Sequence, residues 1–301
     1  MSDITLQRLP PTFFPMHNPP LLPAGQKRIL VFLALGALGL FLVAYFPVFR
    51  ILANKWAESE DYSHAFLTLP IILYMVYQNR HRVMATPATY TPLGLATLVL
   101  ASALYYFGLL TEVHTVIALA MYLAVLGTVV FLFGIRSVWV LFTPLLLLLM
   151  LIPFPEQLYI QLTFPLQLKV SQMSEAIITM VGIPLHRAGN VLTIPQKSFE
   201  VVEACSGLRS VITLLTLSVV MGYFLLARTP AKLLLVAASI PVAIFVNLIR
   251  VVVIVLAFYY FGLDLYEDTL HTVAGLGIFL IALVTLFLLQ RILEQWEHKQ
   301  K

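Results

Sequence analysis

Residues 203–210 read Glu203-Ala204-Cys205-Ser206-Gly207-Leu208-Arg209-Ser210, and from Leu208 the chain runs apolar to Leu226. A polar loop precedes this octet. The run that follows has the length of a membrane crossing, near the ~20 residues that span ~30 Å of hydrocarbon. Cys205 is the only cysteine in 301 residues, so an internal disulfide is excluded and the thiol is free. It stands at a helix start, where the dipole and open N–H groups favour a thiolate. Ser206 is a plausible cap, and Arg209, four residues on from the cysteine, adds positive charge on the same face. A lone cysteine in a membrane helix also serves as a small packing residue, and the octet by itself leaves both readings open.

Outward from the octet, the composition is that of an integral membrane protein. The chain is 60% hydrophobic and 11% charged, with a mean hydropathy of +0.95, whereas soluble domains are about half apolar and a quarter charged. A net charge of +4 is too small to mark a nucleic-acid binder, and no nucleic acid is expected as a partner. Membrane lipids are. Residues 1–26 are proline-rich and show no short apolar core before a small-residue cleavage site, so a flexible cytoplasmic tail is expected there rather than a signal peptide.

Eight apolar runs predict an all-α polytopic fold of about eight transmembrane helices. They lie near 29–49, 65–78, 93–110, 113–133, 138–152, 208–226, 233–261 and 271–289. One transmembrane domain, 27–291, would be followed by a short cytoplasmic tail, 292–301. The longest segment outside the spans is 153–205. It starts with the helix-stopping Pro153-Phe154-Pro155. An amphipathic helix pair on the membrane is expected over 157–181, then a small hairpin around Gly189-Asn190. With both termini in the cytoplasm, 11 of the 18 basic residues fall in inside loops and tails, against 3 of the 14 acidic ones. The 153–205 segment is then extracytoplasmic.

That topology sorts the polar residues. Cys205 and His271 fall at the outer ends of their spans. Arg250 lies 18 residues past the inner anchor Lys232, about 27 Å along a helix, and so arrives at the same level. An arginine inside a span costs about 2.5–3.5 kcal/mol at the centre and less near an interface. Asn247, one turn before Arg250, would hydrogen-bond it. A buried Asn beside a buried Arg argues for a site over a snorkelling anchor. Four histidines, His64, His114, His186 and His271, lie outside, and topology alone does not choose a base among them. No cluster of His, Asp and Glu appears at ligand spacing, so neither a metal nor another cofactor is expected.

The octet resembles the signature of the exosortase/archaeosortase family, and the resemblance runs over about residues 50 to 290. Asp61-Tyr62-Ser63-His64 resembles the family's N-terminal Tyr-Ser-His-Gly motif, with Ala65 where glycine is usual. Pro153-Phe154-Pro155 resembles its proline-rich exit from a central span, and Gly189-Asn190 through Pro195 the approach to the cysteine. Asn247-Leu-Ile-Arg250 and His271-Thr-Val-Ala-Gly275 resemble its later two helix motifs.

The resemblance implies a membrane-embedded cysteine transpeptidase in a bacterial inner membrane, with its site facing the periplasm. Its partners would be exported proteins that end in a Pro-Glu-Pro motif, one transmembrane helix and a basic tail. A lipid- or polysaccharide-linked acceptor would take the cleaved protein. The catalytic residues carried over are Cys205, Arg250 and His271, and the histidine fits the bacterial branch. Supporting roles fall to Arg209, Asn247, Glu203, Ser206, His64, Tyr62 and Asp61. Two other classes compete. One is a non-enzymatic transporter or scaffold for polysaccharide export, using Arg250 and Asn247 as a polar path. The other is an acyltransferase with His64 or His271 as base, which would tolerate loss of the cysteine.

Overall fold

A computed structural model describes the backbone of residues 24–59, 62–86, 91–201, 208–265 and 268–299. Within these, the side chains of 24–31, 33, 34, 208, 209 and 268–274 lie outside the description. The chain divides into two compact units, Met1–Phe46 and Pro47–Lys301. The first contains α1 (Ala24–Ala44). Its described apolar side chains, Phe32, Leu35, Leu38, Leu40 and Val43 among them, are exposed, as befits a helix whose solvent is lipid.

The second unit carries α2 (Phe46–Glu58, all but its first residue), α3 (Ala65–Met84), α4 (Pro92–Thr111), α5 (His114–Phe133), α6 (Ile135–Val140) and α7 (Phe142–Met150). After these come α8 (Glu156–Met180), strands β1 (His186–Ala188), β2 (Val191–Thr193) and β3 (Ser198–Glu200), then α9 (Leu208–Leu225), α10 (Thr229–Phe261) and α11 (Asp268–Lys299). The core is apolar, but polar side chains are buried beside it and many large apolar ones face outward, as lipid permits. Ser218, Ser239, Asn247 and Arg250 are buried, while Leu233, Phe245 and Val253 are exposed.

Among the described residues, α4, α5, α10 and α11 are long and apolar enough to cross a membrane alone, and the α1–α2 pair adds a fifth span if counted as one. The other expected spans fall short for visible reasons. α3 ends in the polar Gln78-Asn79-Arg80-His81-Arg82. α9 runs Leu208–Leu225, and its described part, Ser210–Leu225, is apolar but under 18 residues. The run 138–152 is broken at Leu141 into α6 and α7. Pro144 has no N–H to give the carbonyl of Val140, so the ladder stops there and restarts with Pro144 in the first turn of α7.

The α4–α5 hairpin turns on Thr111 to Val113, with Glu112 in the left-handed region at φ 56°. Its helices approach so closely that a Cβ on Gly94 would stand 2.5 Å from the backbone of Phe131, and one on Gly108 2.7 Å from the Ile117 side chain. Glycine is required at such contacts.

Where a helix pair was expected over 157–181, one continuous α8 is found, running through Pro165. Thr163, Gln167, Val170, Ser171, Ser174 and Ile178 recur at helical spacing and are all buried. That uninterrupted contact outweighs the one backbone bond lost at the proline. The hairpin is present. Ala188 pairs with Val191 across Gly189-Asn190, and Gly189 supplies the positive φ of 66° that a two-residue turn demands. A third strand, β3, extends it to an antiparallel sheet in the order β1-β2-β3.

Helix directions follow from three polar ties. Asn79 Nδ2 of α3 donates to Tyr223 Oη of α9 at 2.6 Å, and Tyr223 Oη donates to Gln78 Oε1 at 3.2 Å. α3 and α9 are thus parallel. The short Leu226–Arg228 turn reverses the chain into α10. Glu297, near the end of α11, returns to that turn and accepts the backbone N–H groups of Ala227 (3.0 Å) and Arg228 (2.7 Å). One end of the bundle is thereby tied together. The opposite end carries the sheet, the 151–156 strap, the α4–α5 turn, the start of α9 and the start of α11.

Candidate active site

Measured from the tied end at about 1.5 Å per residue, residue 208 stands about 26 Å up α9, Arg250 about 32 Å up α10 and Gly275 about 33 Å up α11. The two later helices meet at this level. A Cβ on Gly275 would lie 3.5 Å from Nη2 of Arg250 and 3.9 Å from its Cζ. The arginine is 8% exposed and Asn247, one turn below, 2%. A guanidinium keeps its charge when buried and offers a planar fork of donors, which suits it to a developing oxyanion or a carboxylate. His271 belongs to the first turn of α11, four residues before Gly275 in the chain.

The small sheet links the segments that carry the three expected catalytic residues. Its inner side chains, Leu192, Ile194 and Phe199, together with Val201, form one core with Val170 and Ile178 of α8 and with Leu248, Val251, Val252 and Val255 of α10. These α10 residues flank Arg250. At the end of β3, Val201 N–H donates to the carbonyl of Asn190 at 2.8 Å, and Asn190 Nδ2 donates back to the carbonyl of Val201 at 3.3 Å. The hairpin turn thus holds the chain four residues before Cys205.

From the β2–β3 turn, Lys197 forms an ion pair with Asp264, in the link between α10 and α11, and its ammonium lies 5.3 Å from the Phe258 ring. Arg187 on β1 pairs with Glu175 on α8 at 2.7 Å. Both pairs are part-exposed, so they fix position more than they stabilise; such pairs contribute about 0–1 kcal/mol.

Cys205, Glu203, Ser206 and Asp61 lie outside the described residues, as do the side chains of Arg209 and His271. Tyr62 is buried, and its hydroxyl accepts the N–H of Phe154 at 3.1 Å. The Tyr62 and Pro153-Phe154-Pro155 motifs therefore form one structure. Trp56 strengthens it, donating Nε1–H to the carbonyl of Leu151 at 3.0 Å. His64 precedes α3 in the N-cap position, and its carbonyl accepts the Thr68 hydroxyl at 2.9 Å. No group of three or more His, Cys, Asp and Glu among the described residues could hold a metal ion.

Sequence reasoning did not single out Lys197, Asp264 or Trp56, and it read Asn190 only as part of the turn. The bond of Asn190 to Val201, which fixes the approach to the cysteine, carried no local signal. A family model described as transmembrane exosortase matches residues 56–288, most of the chain. No curated protein and no solved structure matches.

Proposed function

From the premise that the chain belongs to the transmembrane exosortase family, we propose that it is a cysteine transpeptidase of a bacterial inner membrane. It cleaves the Pro-Glu-Pro-type C-terminal sorting signals of exported proteins on the periplasmic side and passes them to a lipid- or polysaccharide-linked acceptor. The observation that carries the reading is the reach of the family match. It takes in the cysteine octet and both later helix motifs, whose helices meet where the Arg250 guanidinium lies against Gly275.

The chemistry follows from the residue types. The Cys205 thiolate attacks the scissile carbonyl carbon, and Arg250 stabilises the oxyanion that forms. His271 gives a proton to the leaving amine as the C–N bond breaks, which leaves a thioester on Cys205. The acceptor then loses a proton to His271 and attacks the thioester, the C–S bond breaks and the thiolate is restored.

The test is a secreted reporter ending in a Pro-Glu-Pro motif, an apolar helix and a basic tail, co-expressed with the full chain in its membrane. Wild type is expected to shorten the reporter. Cys205→Ala and Cys205→Ser, inserted in the membrane at wild-type levels, are expected to leave it uncut. Normal processing by Cys205→Ala would overturn the reading.

A further inference from the structure

At the same end of the bundle as the Arg250 level lies a half-open cavity of about 760 Å³. That is inside the ~300–1,000 Å³ range of small-molecule sites. Its walls come from the end of α2, the α4–α5 turn and the strap between α7 and α8. These walls are preorganised by long-range bonds. Trp56 Nε1 binds the Leu151 carbonyl at 3.0 Å, Thr115 Oγ1 the Pro153 carbonyl at 3.1 Å, and the Phe154 N–H the Tyr62 hydroxyl at 3.1 Å. The Tyr62 and Pro-Phe-Pro motifs, which the cysteine chemistry leaves without a task, are thus the parts that build this cavity.

The lining states what would enter. Glu58, Glu112 and Glu156 stand against one ammonium, Lys55, and one imidazole, His114, and the aromatic side chains Tyr62, Phe154 and Tyr159 share the wall. A concave surface of one net sign focuses its field on the opposite charge, and aromatic faces attract ammonium groups. A bare metal ion does not fit, since these carboxylates do not converge as a ligand set. The glutamate of a Pro-Glu-Pro signal would meet repulsion here, so the cavity is not built for the acyl donor. A transpeptidase needs a second site, for the nucleophile.

We propose that this cavity binds the acceptor substrate through a protonated amine. The assignment of the ligand as acceptor rests on the transpeptidase reading; the preference for an ammonium does not. The step it serves is aminolysis. The ammonium gives one proton to the general base and its nitrogen attacks the Cys205 thioester; as the C–S bond breaks, the second proton passes from that nitrogen to the departing sulfur, leaving an amide and a free thiol.

Binding is tested on the full chain in detergent, in a Cys205→Ala background, so that it is read apart from cleavage. The probe is dansylcadaverine, a fluorescent primary amine followed by anisotropy, with its N-acetylated, uncharged form as control. Saturable binding of the amine, at least tenfold tighter than the acetylated probe and weakened at least tenfold by Glu58→Gln, Glu112→Gln and Glu156→Gln together, is expected. Lys55→Gln should change affinity in the opposite direction, which guards against a misfolded triple variant. Equal binding of the two probes, or weaker binding by Lys55→Gln, would overturn the proposal.

Nanodiscs of phosphatidylethanolamine set against phosphatidylglycerol separate the sources of the amine. Competition with the probe in the first only marks a lipid headgroup, its absence a soluble amine, and either agrees with the assignment. With Cys205 restored, the ratio of amide to free-acid product should fall at least fivefold in the triple variant. A reporter left uncut by wild type would instead count against the transpeptidase reading, with the binding result standing by itself.

Discussion

The two ends of the bundle are built on different principles. At the tied end, helices are joined by direct polar bonds: Asn79 to Tyr223, Tyr223 to Gln78, and Glu297 to the N–H groups that open α10. At the opposite end α10 and α11 still meet at Arg250 and Gly275, and loop material is added around the helices: the sheet, the 151–156 strap and the cavity it walls, with ion pairs such as Lys197–Asp264 joining sheet to helix link. A membrane protein has little hydrophobic force to press its helices together. Closing one end with polar bonds leaves the other free to hold loops at fixed heights. The comparison predicts that damage at the open end lowers chemistry more than stability, and damage at the tied end the reverse.

The largest effect expected is at Arg250. Arg250→Lys keeps the charge but loses the fork of donors, and reporter processing should fall about 100-fold or more, the size of losing one oxyanion donor. Helical content and detergent-extracted yield should stay at wild-type levels. Retention of more than a tenth of the activity would break the comparison at its strongest point.

Gly275 comes next. A Cβ there makes ordinary contact with the guanidinium, so Gly275→Ala should process nearly as wild type. Gly275→Leu should displace Arg250 and cost about as much as Arg250→Lys. Equal behaviour of the two variants in a processing assay would deny that α11 seats the arginine.

The ion pair at the sheet gives a smaller effect. Lys197→Asp should lower processing by about three- to tenfold, the equivalent of an exposed pair lost and reversed. Adding Asp264→Lys should restore most of it, a recovery that general destabilisation would not produce.

At the tied end the expected effect on chemistry is the smallest. Glu297 lies past the apolar run of α11, in the polar stretch that begins at Gln290. Burial there works against its charge, but the N–H groups of Ala227 and Arg228 and the charges of Arg228 and Lys232 outweigh it and hold the carboxyl below its ordinary range. A depressed folded-state value stabilises at pH above the ordinary carboxylate range, and this stability is lost as pH falls through the lower folded value. Glu297→Ala should therefore lower thermal stability at pH 7 by about 1 kcal/mol, since two part-buried N–H groups lose their acceptor. The gap from wild type should narrow in acid. Activity per folded molecule should be unchanged; a specific loss of processing would erase the distinction between the ends.

Much of this architecture could be read from the chain. Apolar length placed α4, α5, α10 and α11, and the Gly189-Asn190 pair located the hairpin, because a helix period and a turn glycine are local signals. The eight-span expectation met segments that local hydropathy does not resolve. Pro144 divides 138–152, and the polar end of α3 limits its apolar length. β3 was missed because Ser198-Phe199-Glu200 carries one apolar residue, too little to show alternation.

Arg250 and Asn247 were legible as misfits in an apolar run. Lys197 and Asp264 were not, since 67 residues separate them and nothing in either neighbourhood names the other. The Tyr62–Phe154 bond, across 92 residues, was hidden for the same reason, though both motifs were visible singly.

The α4–α5 contact has a mechanical consequence. Where Gly94 meets the backbone of Phe131, no side chain, and hence no lipid tail, can slip between the helices. The pair must tilt as one plank. Glu112 sits at the tip of that plank, its backbone locked in a left-handed turn, and it is also a wall of the cavity. Bilayer thickness, by setting the plank's tilt, would move that wall as a lever moves its end, and so widen or narrow the cavity mouth without any change at Arg250.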